Sequence, residues 1–87
     1  MGYRRADGVL SEILDGRAML VAPDGTELIT LNPTGTAVWD ALADATEPSE
    51  IAARLHKTRT DVALDVLESD VLAFLTELEE AELVVAE

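Results

Sequence analysis

Few residues of this sequence have a type and spacing that could perform acid–base or metal chemistry. His56 is the only histidine, and its neighbours are basic, so no local spacing supports a histidine–carboxylate pair or a metal cage. Asp61 and Asp65, and again Glu77 and Glu80, put two carboxylates on one face of a predicted helix. This spacing is typical of a solvated acidic face rather than of paired-carboxylate catalysis. We therefore expect an exposed histidine at a helix end and no catalytic residues.

Motifs for nucleotide and thiol chemistry are also absent. The five glycines are scattered, and none belongs to a GxGxxG or P-loop motif that would cradle phosphates. The sequence has no cysteine, which excludes disulfide bonds, thiolate metal sites and thiol nucleophiles. The sequence thus predicts a protein that is not an enzyme and needs neither a metal nor a cofactor.

Composition and charge restrict the partners. Six basic residues against 18 acidic ones give a formal net charge of -12, the wrong sign for binding a phosphate backbone. Aromatic residues make up only 3% of the chain, too few for a surface that stacks bases. The longest apolar runs, such as residues 18–22, are far shorter than the roughly 18 residues that cross a bilayer. We expect a soluble, cytoplasmic protein that binds neither nucleic acid nor membranes.

The first third of the chain has the pattern of short strands. Apolar and polar residues alternate there, or β-branched residues form short blocks. The pattern extends over three segments: residues 9–14, 17–21 and 26–31. Asp15 and Gly16 predict a tight hairpin turn, because glycine tolerates the positive φ that such turns require, and residues 23–25 predict the second turn. Together these segments predict a three-stranded antiparallel meander.

From Asn32 onward the apolar residues follow a helical period. Asn32 can accept a hydrogen bond from a free N–H group of the first turn. Pro33 has no backbone N–H group, but the first residue of a helix does not need one because that group would have no partner within the helix. Three helices are predicted: one over residues 34–44, one that opens at Thr46 or Glu47, and a long one over residues 60–81. The 87 residues, 48% of them hydrophobic, suffice for one small core. We therefore expect a single domain over residues 1–87, with an α+β fold of winged helix-turn-helix type: a three-stranded antiparallel sheet followed by three helices.

The third predicted strand raises a problem common to small sheets. An edge strand presents unpaired N–H and C=O groups that pair with another chain unless they are covered, and this strand carries one charge, Glu27, and no proline. If it lies beside the long helix, the two form a groove that captures an extended peptide by strand addition. The helix wall of that groove would come from Leu64, Leu67 and Val71. In the alternative, these three residues are plain core and residues 83–85 cap the edge. The sequence alone does not decide between an open groove and this alternative.

Four blocks of the sequence, taken in order, resemble the PqqD-like proteins, a family of peptide chaperones and recognition elements in pathways that make ribosomal peptide natural products. The blocks are residues 31–42 (LNPTGTAVWDAL), 48–55 (PSEIAARL), 70–78 (DVLAFLTEL) and 81–84 (AELV). Together they reach over nearly the whole chain from the meander onward. The sequence departs from the family at Glu82, where members commonly carry glycine before Leu-Val.

The resemblance implies a winged-helix fold whose third strand pairs with the leader segment of a precursor peptide, with the leader lying against the third helix. The protein would then be a non-catalytic adaptor that presents the leader to a processing enzyme, the leader peptidase of a lasso-peptide pathway. The expected peptide-binding residues are Glu27, Leu28, Ile29, Thr30, Leu31, Leu64, Leu67, Asp70 and Val71.

Three other functions stay open. The chain also resembles the peptide chaperone of pyrroloquinoline quinone biosynthesis, which works with a radical enzyme. A winged-helix DNA-binding regulator is an alternative of another class, although the acidic third helix has the wrong charge to enter a DNA groove. A structural subunit of a larger enzyme is the third, and it would ignore a free leader peptide.

Overall fold

The order of the elements follows from the change of period at Asn32. A computed structural model of the protein describes residues 2–87. Four short strands precede Asn32, three helices follow it, and a fifth strand lies near the end of the chain. The elements are β1 (Tyr3–Arg5), β2 (Leu10–Leu14), β3 (Arg17–Val21), β4 (Leu28–Thr30), α1 (Pro33–Ala41), α2 (Pro48–His56), α3 (Leu64–Glu80) and β5 (Val84–Ala86).

The predicted meander is confirmed as an antiparallel sheet in the order β2-β3-β4. Asp15 and Gly16 form its first turn with φ values of 53° and 75°, the positive range that a two-residue hairpin requires. β4 is shorter than the predicted segment because Thr26 still belongs to the preceding turn. The N–H and hydroxyl of Thr26 donate to the Asp24 carboxylate at 3.1 and 2.8 Å. These bonds lower the pKa of Asp24 and order the turn that leads into β4.

Residues 83–85 do not cap the edge of this sheet, so that part of the alternative is wrong. β5 pairs antiparallel with β1, and Val84 lies opposite Arg5. The sequence prediction lacked β1, because residues 3–5 include too few apolar side chains to show a strand pattern. The β1–β5 ribbon holds the fully buried Leu83 in the core. Within residues 2–87, β4 therefore has β3 as its only strand neighbour.

All three predicted helices are present, and α1 begins with the expected cap. Asn32 Oδ1 accepts a hydrogen bond from the Gly35 N–H at 2.7 Å, and Pro33 takes the first helical position. α3 begins four residues later than predicted, because the chain before it forms a turn in which the Val62 N–H donates to the Arg59 carbonyl at 3.3 Å. None of the helices within residues 2–87 is long and apolar enough to span a membrane.

The core lies between the helices and the inner face of the sheet. Its largest fully buried side chains are Leu20, Val38, Ile51, Val71, Leu75, Leu83 and Val84. Two polar contacts tie strands to α1. The Ala18 N–H donates to the Thr36 hydroxyl at 2.8 Å, and the Arg5 guanidinium lies 4.6 Å from the ring centroid of the buried Trp39. These contacts fix β3 and β1 to α1 and so set the orientation of both strands relative to this helix.

The end of α3 shows the conformational consequence of having Glu82 where the resembled family commonly has glycine. The Leu83 N–H donates to the Leu78 carbonyl at 2.9 Å and the Glu82 N–H donates to the Glu79 carbonyl at 3.0 Å, the two bonds of a Schellman motif. Glu82 occupies the left-handed position of this motif, with a φ of 62°. Glycine adopts this conformation without steric cost, whereas other L-residues pay roughly 1 kcal/mol.

We expect the substitution Glu82→Gly to raise the free energy of unfolding by about 0.5–1 kcal/mol, since it removes the left-handed strain. Urea denaturation followed by circular dichroism measures this change. Glu82→Ala is the matched control, because it removes the same charge but keeps the strain. An equal gain in both variants would assign the effect to charge and contradict the backbone explanation.

Candidate functional site

One edge of β4 is unpaired, and the hydrogen-bond pattern identifies the groups it presents. The Leu31 N–H donates to the Ala18 carbonyl at 2.8 Å on the β3 side. The hydrogen-bonding side alternates along an antiparallel strand, so Ile29, two residues earlier, also faces β3. Leu28 and Thr30 therefore direct their N–H and C=O groups toward the open edge. Of the five predicted strand residues, these two offer backbone groups to a guest.

α3 lies across from this edge, and a cavity of about 310 Å³ separates the helix from the strand. Its lining residues are Ile29, Thr30, Leu31 and Asn32 on the strand side and Phe74, Glu77, Leu78 and Ala81 on the helix side. Leu31 and Leu78 are buried and form an apolar floor. Glu77 is exposed at the rim. A peptide added to β4 would thus lie between a backbone edge and an apolar helix face.

A second cavity of about 380 Å³ continues past the end of β4 and shares Asn32 and Phe74 with the first. Three of the predicted helix residues line it: Leu67, Asp70 and Val71. The two apolar ones are core residues as well as cavity floor, and the carboxylate is exposed. Leu64 is 45% exposed and lines neither cavity.

A third cavity of about 610 Å³ lies at the other end, between the β3–β4 turn and the end of α3, and shares Glu77 and Ala81 with the first. Its carboxylates come from Asp24, Glu27, Glu77, Glu80 and Glu82. Neighbouring cavities share lining residues along α3, and we call the three together the α3 groove. This end of the α3 groove is strongly acidic.

The helix residues that face β4 directly were missing from the predicted site. The prediction took the stretch from Leu64 to Val71, whereas β4 lies beside the later half of α3, from Phe74 to Ala81. One apolar stripe runs through both stretches. The sequence contains this stripe, but the part that faces the strand depends on how the helix crosses the sheet.

The sheet has an apolar outer face beside the open edge. Val21 lies between Leu10 and Leu28 in the strand register, and all three point away from the core. Leu10 is 68% exposed and Leu28 is 61% exposed. With Met19 they line a shallow cavity of about 410 Å³. Since Leu28 belongs to β4, the outer face is continuous with the open edge.

The arrangement offers binding groups rather than reactive ones. No cluster of three or more His, Asp or Glu side chains within residues 2–87 could hold a metal ion. His56 is half-buried at the end of α2 and lines no part of the α3 groove. Unpaired backbone groups beside an apolar floor are the combination that binds an extended peptide.

Comparisons with known proteins agree with this geometry. A family model described as Coenzyme PQQ synthesis protein D (PqqD) matches residues 17–84. No curated protein sequence matches the chain. Among solved structures, TbiB1 in complex with the TbiA(beta) leader peptide is 24% identical with a TM-score of 0.84, and the match covers 97% of this chain and 99% of that one.

Two further solved structures share the fold. Lasso peptide synthetase B1 complexed with the leader peptide is 21% identical with a TM-score of 0.84, over 99% of this chain and 100% of that one. The PqqD truncation of Methylobacterium extorquens PqqCD, described as a stand-alone recognition element for ribosomally synthesized and modified peptides, is 24% identical. Its TM-score is 0.78, over 98% of this chain and 89% of that one.

The open edge predicts an alternating pattern of amide hydrogen exchange. Ile29 and Leu31 donate toward β3, so their amides are expected to exchange slowly; the amides of Leu28 and Thr30 should exchange roughly tenfold faster or more. Hydrogen–deuterium exchange followed by NMR measures the four rates in one experiment. Equal protection at all four positions would mean that the edge is covered.

Proposed function

Because the chain belongs to the Coenzyme PQQ synthesis protein D (PqqD) family, we propose that it is a non-catalytic adaptor for a precursor peptide made on ribosomes. It binds the leader segment of that peptide by strand addition to β4 and presents it to a processing enzyme. The acting unit is a single domain over residues 1–87, and it works in the cytoplasm. The observation that carries this proposal is the unpaired edge of β4 beside the α3 groove.

The energetics require side-chain contacts in addition to the strand. The backbone groups of Leu28 and Thr30 can form about four hydrogen bonds with a guest, each worth about 1 kcal/mol net. This alone corresponds to a dissociation constant of roughly 1 mM, before the peptide is ordered. Burying an apolar side chain in the α3 groove adds about 1.5–3 kcal/mol, so two such side chains bring the affinity to roughly micromolar or tighter.

The proposed contacts divide by role. Leu28 and Thr30 supply backbone groups. The side chains of Ile29 and Leu31 line the strand side of the cavity beside β4, with Leu31 in its floor. The remaining proposed contacts are Glu27, Leu67, Asp70, Val71, Phe74 and Leu78, all of which line the α3 groove. Leu64 is left out because it lines none of its cavities. Asp70 is exposed at the rim and can accept a hydrogen bond from a hydroxyl or a base of the leader.

A role in DNA binding is not supported. Half of the 18 acidic residues lie in residues 60–87, which contain no lysine or arginine. α3, the helix that would enter the major groove, lies within this segment and would meet the phosphates with its own negative charge. The same charge does not oppose a neutral or basic peptide, whose affinity comes from backbone pairing and apolar burial.

We propose that the processing enzyme docks on the outer face of the sheet. A leader strand added to β4 extends that face, so an enzyme placed there contacts the adaptor and the bound leader together. The occupant is a largely apolar protein surface, because Leu10, Met19 and Leu28 are uncharged and Glu12 is the one charged residue that lines this cavity. We name the leader peptidase of a lasso-peptide pathway as this enzyme, since two of the three similar structures are complexes with a leader peptide and one of these two is described as lasso peptide synthetase B1.

Titration with the synthetic leader of the precursor peptide encoded beside this chain's gene tests the adaptor function. We expect the NMR signals of the Leu28 and Thr30 amides to shift and saturate. Thr30→Pro removes an outward N–H without breaking the β3–β4 ladder, so we expect at least about tenfold weaker binding and an unchanged fold.

The matched control for this variant is Ser11→Pro. By the same alternation, Ser11 directs its N–H to the opposite open edge of the sheet, on β2. We expect it to keep the wild-type affinity. If saturating leader leaves Leu28 and Thr30 unshifted, or if both proline variants bind like wild type, the proposed function is wrong.

If the enzyme docks on the outer face, Leu10→Lys should slow cleavage of the leader without weakening leader binding. Leu10 is 68% exposed, so the fold and the leader affinity should be unchanged, while cleavage of the bound leader by the peptidase should fall roughly tenfold or more. Leu72→Lys is the control, because Leu72 is 46% exposed on α3 and lines no part of the outer face. Unchanged cleavage would contradict docking of the enzyme there. So would the finding that the protein without enzyme is a dimer and that Leu10→Lys dissociates it.

A further inference from the structure

The middle of the α3 groove depends on an unusually close approach between α1 and α3. A Cβ atom added at Gly35 would lie 2.9 Å from Cζ and 3.1 Å from Cε1 of Phe74. Carbon atoms in contact normally stay about 3.5–4.0 Å apart. The Phe74 ring edge therefore occupies the space that any other residue at position 35 would need.

The Phe74 ring lies where two of the cavities meet. It lines both the cavity of about 310 Å³ beside β4 and the cavity of about 380 Å³ beyond it. It is only half-buried, so one part of the ring faces the groove and the other packs on α1. A ring pushed away from Gly35 has the two cavities as its nearest free space.

We propose that Phe74 divides the α3 groove into two side-chain pockets and that Gly35 keeps both open by receiving the ring edge. The inference rests on the proposed function and deepens it: the guest is a peptide that places one apolar side chain on each side of Phe74. Phe74 is the contact residue, and Gly35, which lies in the lining of the second cavity, is a positioning residue that acts through the ring.

The substitution Gly35→Ala isolates this role from folding. The two nearest atoms in the way are the far end of the Phe74 side chain, so the ring can yield without moving the backbone; the third, Asn32 Oδ1 at 3.2 Å, must give by a few tenths of an ångström. Alanine also favours the helix over glycine, which offsets a small loss at the Asn32 cap. We therefore expect a folded protein whose groove is narrowed by the displaced ring.

A double-mutant cycle with the same synthetic leader tests the inference. Gly35→Ala should weaken leader binding about tenfold. Phe74→Ala should weaken it about tenfold or more, since it removes an apolar contact. In the Phe74→Ala background, Gly35→Ala should change the affinity less than twofold, because no ring remains to be displaced. Leu72→Ala, an exposed position on α3 that lines no part of the groove, should bind like wild type.

The NMR signals of the Phe74 ring provide a second measurement. A purely structural role of Gly35 would not change how these signals respond to the leader. Phe74 is the only phenylalanine in the chain, so its ring protons can be identified without ambiguity. In the wild type they should show contacts to the Gly35 Hα protons and shift on leader binding; in Gly35→Ala they should be shifted before any leader is added.

The outcomes separate this inference from the proposed function. If wild-type protein fails to bind the leader at Leu28 and Thr30, the proposed function itself fails. If it binds there while Gly35→Ala binds equally well, or while the Phe74 ring signals stay unshifted by the leader, only the role of Phe74 and Gly35 is overturned. Additive losses in the double variant would also overturn it.

Discussion

An unpaired row of backbone groups on β4 is the constraint on which the other features of this protein depend. Buried or half-buried N–H and C=O groups need partners, and an edge strand that lacks them will pair with another chain. Here the chain turns into α1 immediately after β4, and its C-terminal segment pairs with β1 on another side of the molecule. No segment within residues 2–87 is thus placed to satisfy the edge, and α3 stands off from it across a cavity.

Close packing elsewhere keeps this opening from collapsing. α1 is fixed to β3 by the hydrogen bond from Ala18 to Thr36 and to β1 by the stacking of Arg5 on Trp39. Leu67, Val71 and Leu78 serve the core and the floor of the groove at once. Because the same side chains do both, the groove is a surface of the core and is already shaped before a guest arrives, which lowers the ordering cost of binding.

Charge shapes the α3 groove without supplying most of its affinity. The carboxylates gather at the end of α3 and at the turn before β4, whereas the floor beside β4 is apolar. Exposed charges are screened by water and salt, so their effect on affinity is small and their effect on the choice and rate of partners is larger. An acidic surface also opposes binding of this winged-helix fold to a phosphate backbone.

Several elements could be predicted because their causes are local. The turn at Asp15 and Gly16, the cap at Asn32 and Pro33, and the period of the helices each depend on neighbouring residues. β1 could not be predicted, because a strand of three residues with two arginines becomes a strand only by pairing with β5. Glu82 is a related case: its unusual conformation is imposed by the Schellman motif at the end of α3 and not by its own preference.

The sequence by itself determined the class of the fold, the absence of motifs for catalysis and the negative charge, and it left open whether the edge of the third predicted strand is free or capped. Only the tertiary structure decided that this edge stays open, that Leu28 and Thr30 face outward, and that Phe74 rather than Leu64 lies beside it. The reason is physical: periodicity and capping act over three or four residues, whereas the pairing of strands and the crossing of a helix over a sheet are set by contacts between residues far apart in the chain.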